Sequence, residues 1–127
     1  MSDQVRNNVA VWFEIPAADH DRCVGFYEGL FGVELHHQEM GPMKLSIFPY
    51  NDPGISGCVQ SGPDAKPGGE GSVVYLNCDG RLDTVIGRVK KLGGRVATPK
   101  TALPEGMGAF VYIFDTEGNR IGLHEAA

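Results

Sequence analysis

An internal repeat constrains the fold of this 127-residue chain more than any single segment does. A strand-like run, an acidic residue, an amphipathic stretch and a glycine occur twice, at an offset of about sixty residues. Asp19 and Asp79 stand before the two amphipathic stretches, and Gly32 and Gly93 follow them. The chain is therefore predicted to be one domain built from two similar modules, each with one helix and several strands.

The first module is predicted over about residues 8–60, in the order β-α-β-β-β. Strands are expected at 9–15, 33–40, 43–49 and 55–60. Asp19 can cap the helix through its carboxylate, and Gly32 can end it in a left-handed conformation. Five apolar residues follow the helical period and predict one buried stripe: Cys23, Phe26, Tyr27, Leu30 and Phe31.

The second module is predicted over about residues 72–126, after a linker at 61–71 rich in proline and glycine. Strands are expected at 73–78, 95–98, 108–114 and 120–125, with Asp79 or Asp83 as the helix cap. The buried stripe of its helix is Leu82, Val85, Ile86, Val89 and Leu92. The turn-forming residues Asp115-Thr-Glu-Gly-Asn119 join the last two strands as a hairpin. The predicted fold class is α+β, with two paired βαβββ modules.

Composition and charge exclude several classes of function. The net charge of −5 makes nucleic acid an unsuitable partner, because phosphate binding rests on clustered Lys and Arg. No apolar run is long enough to span a membrane, and the polar N-terminus does not resemble a signal peptide. The three cysteines are widely spaced in apolar surroundings, which predicts reduced, buried thiols in a cytoplasmic protein.

A helix covers one face of each sheet, so the opposite faces of the paired modules are expected to enclose a half-barrel cavity. Strand alternation then selects the residues that face it. In the first strand Trp12 and Glu14 face the cavity, and in the last strand Gly122 and His124 do so. The other expected lining residues are Val73, Tyr75, Asn77, Phe110, Tyr112 and Phe114. Such a pocket, with several aromatic rings, suits a flat or apolar ligand.

Two segments of the chain carry a resemblance to a known family: Ile15-Pro-Ala-Ala-Asp19 with the following helix, and Phe114-Asp-Thr-Glu-Gly-Asn119 with the strand after it. The sequence resembles the vicinal oxygen chelate superfamily, which includes glyoxalase I, bleomycin-resistance proteins and extradiol dioxygenases. The resemblance implies paired βαβββ modules, and a homodimer in which modules sometimes pair across subunits.

The family's enzymes hold a divalent metal with His, Glu or Gln side chains from the first and last strands of each module. The resemblance implies that the positions of three of these ligands are occupied in this chain by Trp12, by Val73 or Ser72, and by Gly122. Cys58 or Gln60 is nearest to the fourth position. Because most of these residues coordinate metals poorly, no bound metal or other cofactor is expected at the usual site.

The resemblance and the expected cavity predict a metal-free protein that binds a small aromatic or amphipathic molecule, as resistance proteins do. The predicted contacts are Trp12, Tyr75, Asn77, Phe110, Tyr112 and Gly122. The alternative is a lyase-like or isomerase-like enzyme in which Glu14 or His124 acts as acid or base, with Glu14 activated by burial. A displaced metal site with glyoxalase activity is a further alternative.

Overall fold

The computed structural model describes residues 8–127. The first module comprises β1 (Trp12–Pro16), α1 (His20–Phe31), β2 (His36–Met40), β3 (Met43–Ile47) and β4 (Ser56–Ser61). The second comprises β5 (Val74–Asn77), α2 (Leu82–Val89), β6 (Arg95–Val96), β7 (Thr101–Ala102), β8 (Ala109–Phe114) and β9 (Arg120–Glu125). Short 3₁₀ helices lie at Lys90–Leu92 and Pro104–Gly106. None of the helices in this part of the chain is long and apolar enough to cross a membrane.

Each module forms one mixed sheet, which confirms the α+β fold of paired βαβββ modules. In the first sheet the strand order is β1-β4-β3-β2, and β1 runs parallel to β4. In the second sheet the order is β5-β9-β8-β6, with β5 parallel to β9 and β7 also paired to β8. The two sheets therefore share one strand plan, as the sequence repeat predicts.

One hydrophobic core spans both modules, because the apolar stripes of the two helices are buried together. Cys23, Tyr27 and Leu30 of α1 are fully buried, as are Val85 and Val89 of α2. The predicted start and end of α1 are confirmed: the Asp19 carboxylate accepts the Arg22 N–H at 3.1 Å, and Gly32 takes a left-handed conformation. The sheet faces that point away from the helices remain open; we call them the open faces.

The helix cap expected for α2 is wrong. Neither Asp79 nor Asp83 caps this helix; its first N–H group, that of Leu82, donates to Glu125 Oε1 at 3.1 Å. Asp79 instead accepts the Ala126 N–H at 2.7 Å. The last strand β9 thus supplies the carboxylate that α2 lacks locally, which satisfies an otherwise unpaired helix donor.

Several strand boundaries also differ from the prediction. β1 begins at Trp12 rather than at residue 9, β2 begins at His36 rather than at residue 33, and Val9 and Val11 before β1 are exposed. The strand expected at 95–98 is shortened to β6, and a further short strand, β7, follows it outside the predicted range; both pair with β8. Between them the Thr98 hydroxyl accepts the Tyr112 N–H at 3.0 Å in place of a backbone carbonyl, so the ladder is interrupted there.

His20, the first residue of α1, is buried. Its ring nitrogens lie 2.8 Å from the hydroxyl oxygens of Ser46 and Ser61. Burial lowers the pKa of His20, and nearby His37 and Lys44 add to this effect, while Asp21 opposes it. The neutral ring therefore ties the start of α1 to β3 and β4.

The turn between β8 and β9 joins the two modules. The Tyr27 hydroxyl donates to Asp115 Oδ2 at 2.6 Å, and Asn119 Nδ2 donates to the Pro16 carbonyl at 2.8 Å. Glu117 accepts hydrogen bonds from the backbone N–H groups of Ala18 and Asp19 at 3.0 and 2.8 Å. The segment predicted as a hairpin turn is therefore also the polar contact that positions α1 against the second sheet.

Candidate functional site

Three aromatic side chains form a cluster on the open face of the second sheet. Strand register places Tyr75 and Tyr112 on either side of Gly122, and Phe110 opposite His124. The ring centroids of Tyr75 and Phe110 are 6.1 Å apart, and those of Phe110 and Tyr112 are 5.1 Å apart. Both contacts are edge-to-face, which is typical of stable aromatic pairs. We call Tyr75, Phe110 and Tyr112 the aromatic cluster.

A hydrogen bond and a glycine hold the aromatic cluster in place. The hydroxyl oxygens of Tyr75 and Tyr112 are 2.7 Å apart, and this hydrogen bond raises the pKa of Tyr75, with burial and the charge of Tyr112 as smaller causes. A Cβ atom at Gly122 would collide with the Tyr75 ring. The Tyr75 ring therefore lies flat against the backbone of β9, and 48% of the residue is exposed.

A cavity between the edge strands β1 and β5 brings part of the predicted site together. Its volume is about 500 Å³, and Trp12, Tyr75 and Asn77 all line it, together with Ile55 and Val73. Trp12 is 42% exposed. The Tyr75 ring belongs both to this cavity and to the aromatic cluster, so the two features form one continuous surface, which we call the β1–β5 cavity.

Asn77 and His124 stand at one end of this surface, and both have partners in the backbone. Asn77 Oδ1 accepts the Asp79 N–H at 2.8 Å. His124 Nε2 lies 2.7 Å from the Met107 carbonyl oxygen, so this nitrogen carries the proton and donates it. The Nδ1 atom of a neutral His124 is then an acceptor.

Glu14 does not have the environment that the sequence predicts. Its side chain is exposed, so the burial that would make it a poised acid or base is missing. It lies opposite Cys58 in the register of β1 and β4, whereas His124 lies on β9 of the other sheet. The structure places Glu14 and His124 in different cavities, so they do not form a catalytic pair within one chain.

A second cavity, of about 220 Å³, lies where the end of β1, the linker and the start of β9 meet. Four charged side chains line it: Glu14, Lys66, Glu70 and Arg120. The Arg120 guanidinium carbon is 5.4 Å from the centre of the Tyr112 ring, close enough for a cation–π contact. Sequence reasoning did not find this site, because Lys66 and Glu70 lie in the linker, where strand alternation does not apply, and Arg120 was not singled out although it shares a face with Gly122 and His124.

Comparison with known proteins identifies the family. The model of the glyoxalase/bleomycin resistance protein/dioxygenase superfamily matches residues 9–123. The chain belongs to this superfamily. A glyoxylase-like domain-containing protein from Didymella fabae is 31% identical in an alignment of 116 residues, and the match covers 84% of this chain and 84% of that protein.

Solved structures share the superfamily fold at low sequence identity. A glyoxalase-related enzyme from Fulvimarina pelagi has a TM-score of 0.66 at 15% identity, over 94% of this chain and 88% of that one. A fosfomycin resistance protein from Listeria monocytogenes has a TM-score of 0.66 at 17% identity, over 97% and 94%. A glyoxalase I variant from Zea mays has a TM-score of 0.67 at 18% identity, over 90% of this chain and 45% of that chain. At these identities the likeness shows the fold.

Most residues at the superfamily's metal positions do not fit a divalent metal. Trp12 and Val73 offer no suitable donor, and the Tyr75 ring occupies the space that a side chain at position 122 would need. The alternatives at the second and fourth positions, Ser72 and Gln60, offer only a hydroxyl and an amide oxygen. At the fourth position, burial raises the pKa of Cys58 to about 11, and the charge of Glu14 adds to this, so the thiolate that binds metals is disfavoured. Among residues 8–127, no three His, Cys, Asp or Glu side chains converge to hold a metal ion.

Proposed function

We propose that this superfamily member binds a small aromatic or amphipathic molecule in the β1–β5 cavity, without a bound metal. The observation that carries the proposal is that Trp12 and Tyr75, two partly exposed aromatic residues, line one cavity of about 500 Å³. Ligand pockets of about 300–1,000 Å³ lined by aromatic side chains, with a few polar groups, are typical of small-molecule sites.

The cavity is organised for stacking before a ligand arrives. The hydroxyl contact between Tyr75 and Tyr112 and the ring contact with Phe110 orient the Tyr75 side chain. Asn77 can still donate from its amide nitrogen, which would orient a polar group of the ligand. Binding to an ordered surface loses less conformational entropy than binding to a mobile one.

A sequestering role of the resistance type agrees with this chemistry. The superfamily includes bleomycin resistance proteins, and one structural relative is a fosfomycin resistance protein. Sequestration needs only affinity, and therefore neither a metal nor a catalytic base. Glu14 and His124 remain the candidate acid or base groups for the alternative lyase-like or isomerase-like activity.

The Tyr75→Ala variant tests the proposal. We expect it to weaken binding of an amphipathic aromatic probe, 8-anilinonaphthalene-1-sulfonate, by about tenfold or more, because a stacking face of the site is lost. Fluorescence of Trp12, the single tryptophan of the chain, reports binding during titration with the probe and with a library of aromatic compounds.

Met40→Ala is the matched control, since Met40 is also an exposed apolar residue but lies on β2, away from the cavity. It should bind the probe as the unmodified protein does. If neither the probe nor any library compound changes the Trp12 fluorescence or the melting temperature, the proposed function is wrong.

We also propose that the protein is a homodimer. Val9 and Val11, just before β1, are exposed apolar residues that do not line the β1–β5 cavity, and a second copy would cover apolar surface of this kind. Light scattering coupled to gel filtration should give twice the chain mass of 13.7 kDa. A mass of one chain at micromolar concentration would contradict this proposal.

A further inference from the structure

Charged side chains of both signs line the 220 Å³ cavity at the end of β1, and they form no ion pair with one another. Glu14, Lys66, Glu70 and Arg120 line it. The ion pairs among residues 8–127 link other side chains: Arg22 with Glu117, Lys100 with Asp83, and His37 with Glu39. Among residues 8–127, none of the four charged groups that line the cavity has an opposite charge within 4 Å, so none of them is held in an ion pair there.

Among the charged residues that line this cavity, Arg120 has an unsatisfied buried hydrogen-bond donor. Its Nε atom is buried and has no hydrogen-bond partner among residues 8–127. Buried polar atoms in folded proteins are nearly always hydrogen-bonded, so an exception of this kind points to a missing partner. The contact of the guanidinium with the Tyr112 ring restricts the side chain beside the cavity, and a planar guanidinium matches a carboxylate through two parallel hydrogen bonds.

The walls of this cavity are held in place from two sides. The Asn119 side chain accepts the Gly68 N–H at 3.0 Å and donates to the Pro16 carbonyl at 2.8 Å, which ties the linker to β1. Gly69 packs close to the Phe114 ring, where a Cβ would come within 2.9 Å of it. The linker is thus a fixed wall of a preformed site.

We propose that this cavity binds a small α-amino acid with an aliphatic side chain. Arg120 and Lys66 receive the carboxylate, and Glu14 and Glu70 receive the ammonium group. Ile15, Val74 and Ile121 supply the apolar part of the lining, which suits an aliphatic side chain. This cavity shares Val74 with the β1–β5 cavity, but its charged residues line only this one, so the proposal does not depend on the aromatic ligand proposed above.

Titration calorimetry with three matched compounds tests the proposal. L-leucine has both charged groups, 4-methylpentanoate lacks the ammonium group, and 3-methylbutylamine lacks the carboxylate. We expect saturable binding of L-leucine and at least tenfold weaker binding of the other two, since each loses one pair of charge-assisted hydrogen bonds. A thermal-shift screen of the standard amino acids locates the best aliphatic ligand.

Arg120→Gln should weaken L-leucine binding at least tenfold. Arg95→Gln is the matched control, because Arg95 also lies over an aromatic ring, 4.4 Å from the centre of Phe114, but lines neither cavity. If Arg120→Gln does not fold, Lys66→Gln on the linker gives the same test. Trp12→Ala should keep its affinity for L-leucine, because Trp12 lines the β1–β5 cavity and not this one, and this result would distinguish the two sites.

Three outcomes would overturn the proposal. The first is that none of the aliphatic amino acids binds at millimolar concentration. The second is that 3-methylbutylamine binds as well as L-leucine, which would remove the role of the carboxylate. The third is that Arg120→Gln and Arg95→Gln bind L-leucine equally.

Discussion

Asp115→Ala is expected to lower the free energy of unfolding by about 3–5 kcal/mol, which is a large share of the stability of a small domain. The Asp115 side chain is buried and accepts hydrogen bonds from Tyr27, Asn119 and the Glu117 N–H. Removal of the carboxylate leaves these buried donors without an acceptor, and each such donor costs about 1–3 kcal/mol. The loss of unfolding free energy can be measured by urea denaturation, with circular dichroism as the signal.

Asp64→Ala is the matched control, since Asp64 is an exposed carboxylate in the linker. Its effect should stay within about 0.5 kcal/mol. A loss of less than about 1 kcal/mol for Asp115→Ala would show that the turn does not join the modules energetically.

Glu117→Gln is expected to make the protein less stable at neutral pH and less sensitive to acid. The Glu117 side chain is fully shielded from solvent. Burial alone would raise its pKa, but hydrogen bonds from the Arg22 side chain, the Asp19 N–H and the Thr116 hydroxyl outweigh burial and lower the pKa to about 2. The glutamine variant keeps the shape of the side chain and loses the charge that these donors favour.

The direction of the pH effect follows from this lowered pKa. The ordinary pKa of the group is 4.5, so the unfolded chain takes up the proton first as the pH falls. The stabilisation by Glu117 is complete above pH 4.5 and is lost between that value and pH 2. The full contribution is at most about 3 kcal/mol, from about 1.4 kcal/mol for each pKa unit, because Arg22 is half exposed and solvent screens its charge.

Unfolding free energies measured from pH 7 to pH 2 check this prediction. At pH 7 the Glu117→Gln variant should be about 2–3 kcal/mol less stable, and the difference should shrink as the pH falls toward 2. Glu34→Gln, at an exposed glutamate, should follow the unmodified protein over the whole range. If the unfolding free energies of Glu117→Gln and the unmodified protein differed by the same amount at all pH values, the lowered pKa of Glu117 would be contradicted.

Both of these variants change the segment that most clearly predicted the fold. From the sequence, Asp115-Thr-Glu-Gly-Asn119 is a tight turn between two strands, and the structure confirms the hairpin of β8 and β9. Its acidic side chains are more than turn formers, because they bind groups of the first module that lie 88 to 99 residues away in sequence. Residue propensities describe the turn, whereas these bonds require the two modules to be docked.

In the candidate site, too, some features follow from the sequence pattern and others depend on how the modules dock. Strand alternation correctly placed Trp12, Tyr75, Phe110 and Tyr112 on faces turned away from the core, since a strand presents successive side chains to opposite faces. Alternation could not show that Trp12 and Tyr75 share one cavity, because this depends on how two separate sheets approach each other. For the same reason it gave Glu14 a buried environment that the structure does not have.

The sequence determined the features that follow from local periodicity: the repeat, the buried stripes of both helices, the Asp19 cap and Gly32 stop of α1, and the facing of each strand. Docking of the modules decided the rest. It placed Glu125 at the start of α2 and His20 between two serines, and it left Arg120 beside a cavity with a nitrogen that has no hydrogen-bond partner in residues 8–127. Such contacts join residues far apart in the chain, and their distances are set by packing in three dimensions rather than by the preferences of neighbouring residues.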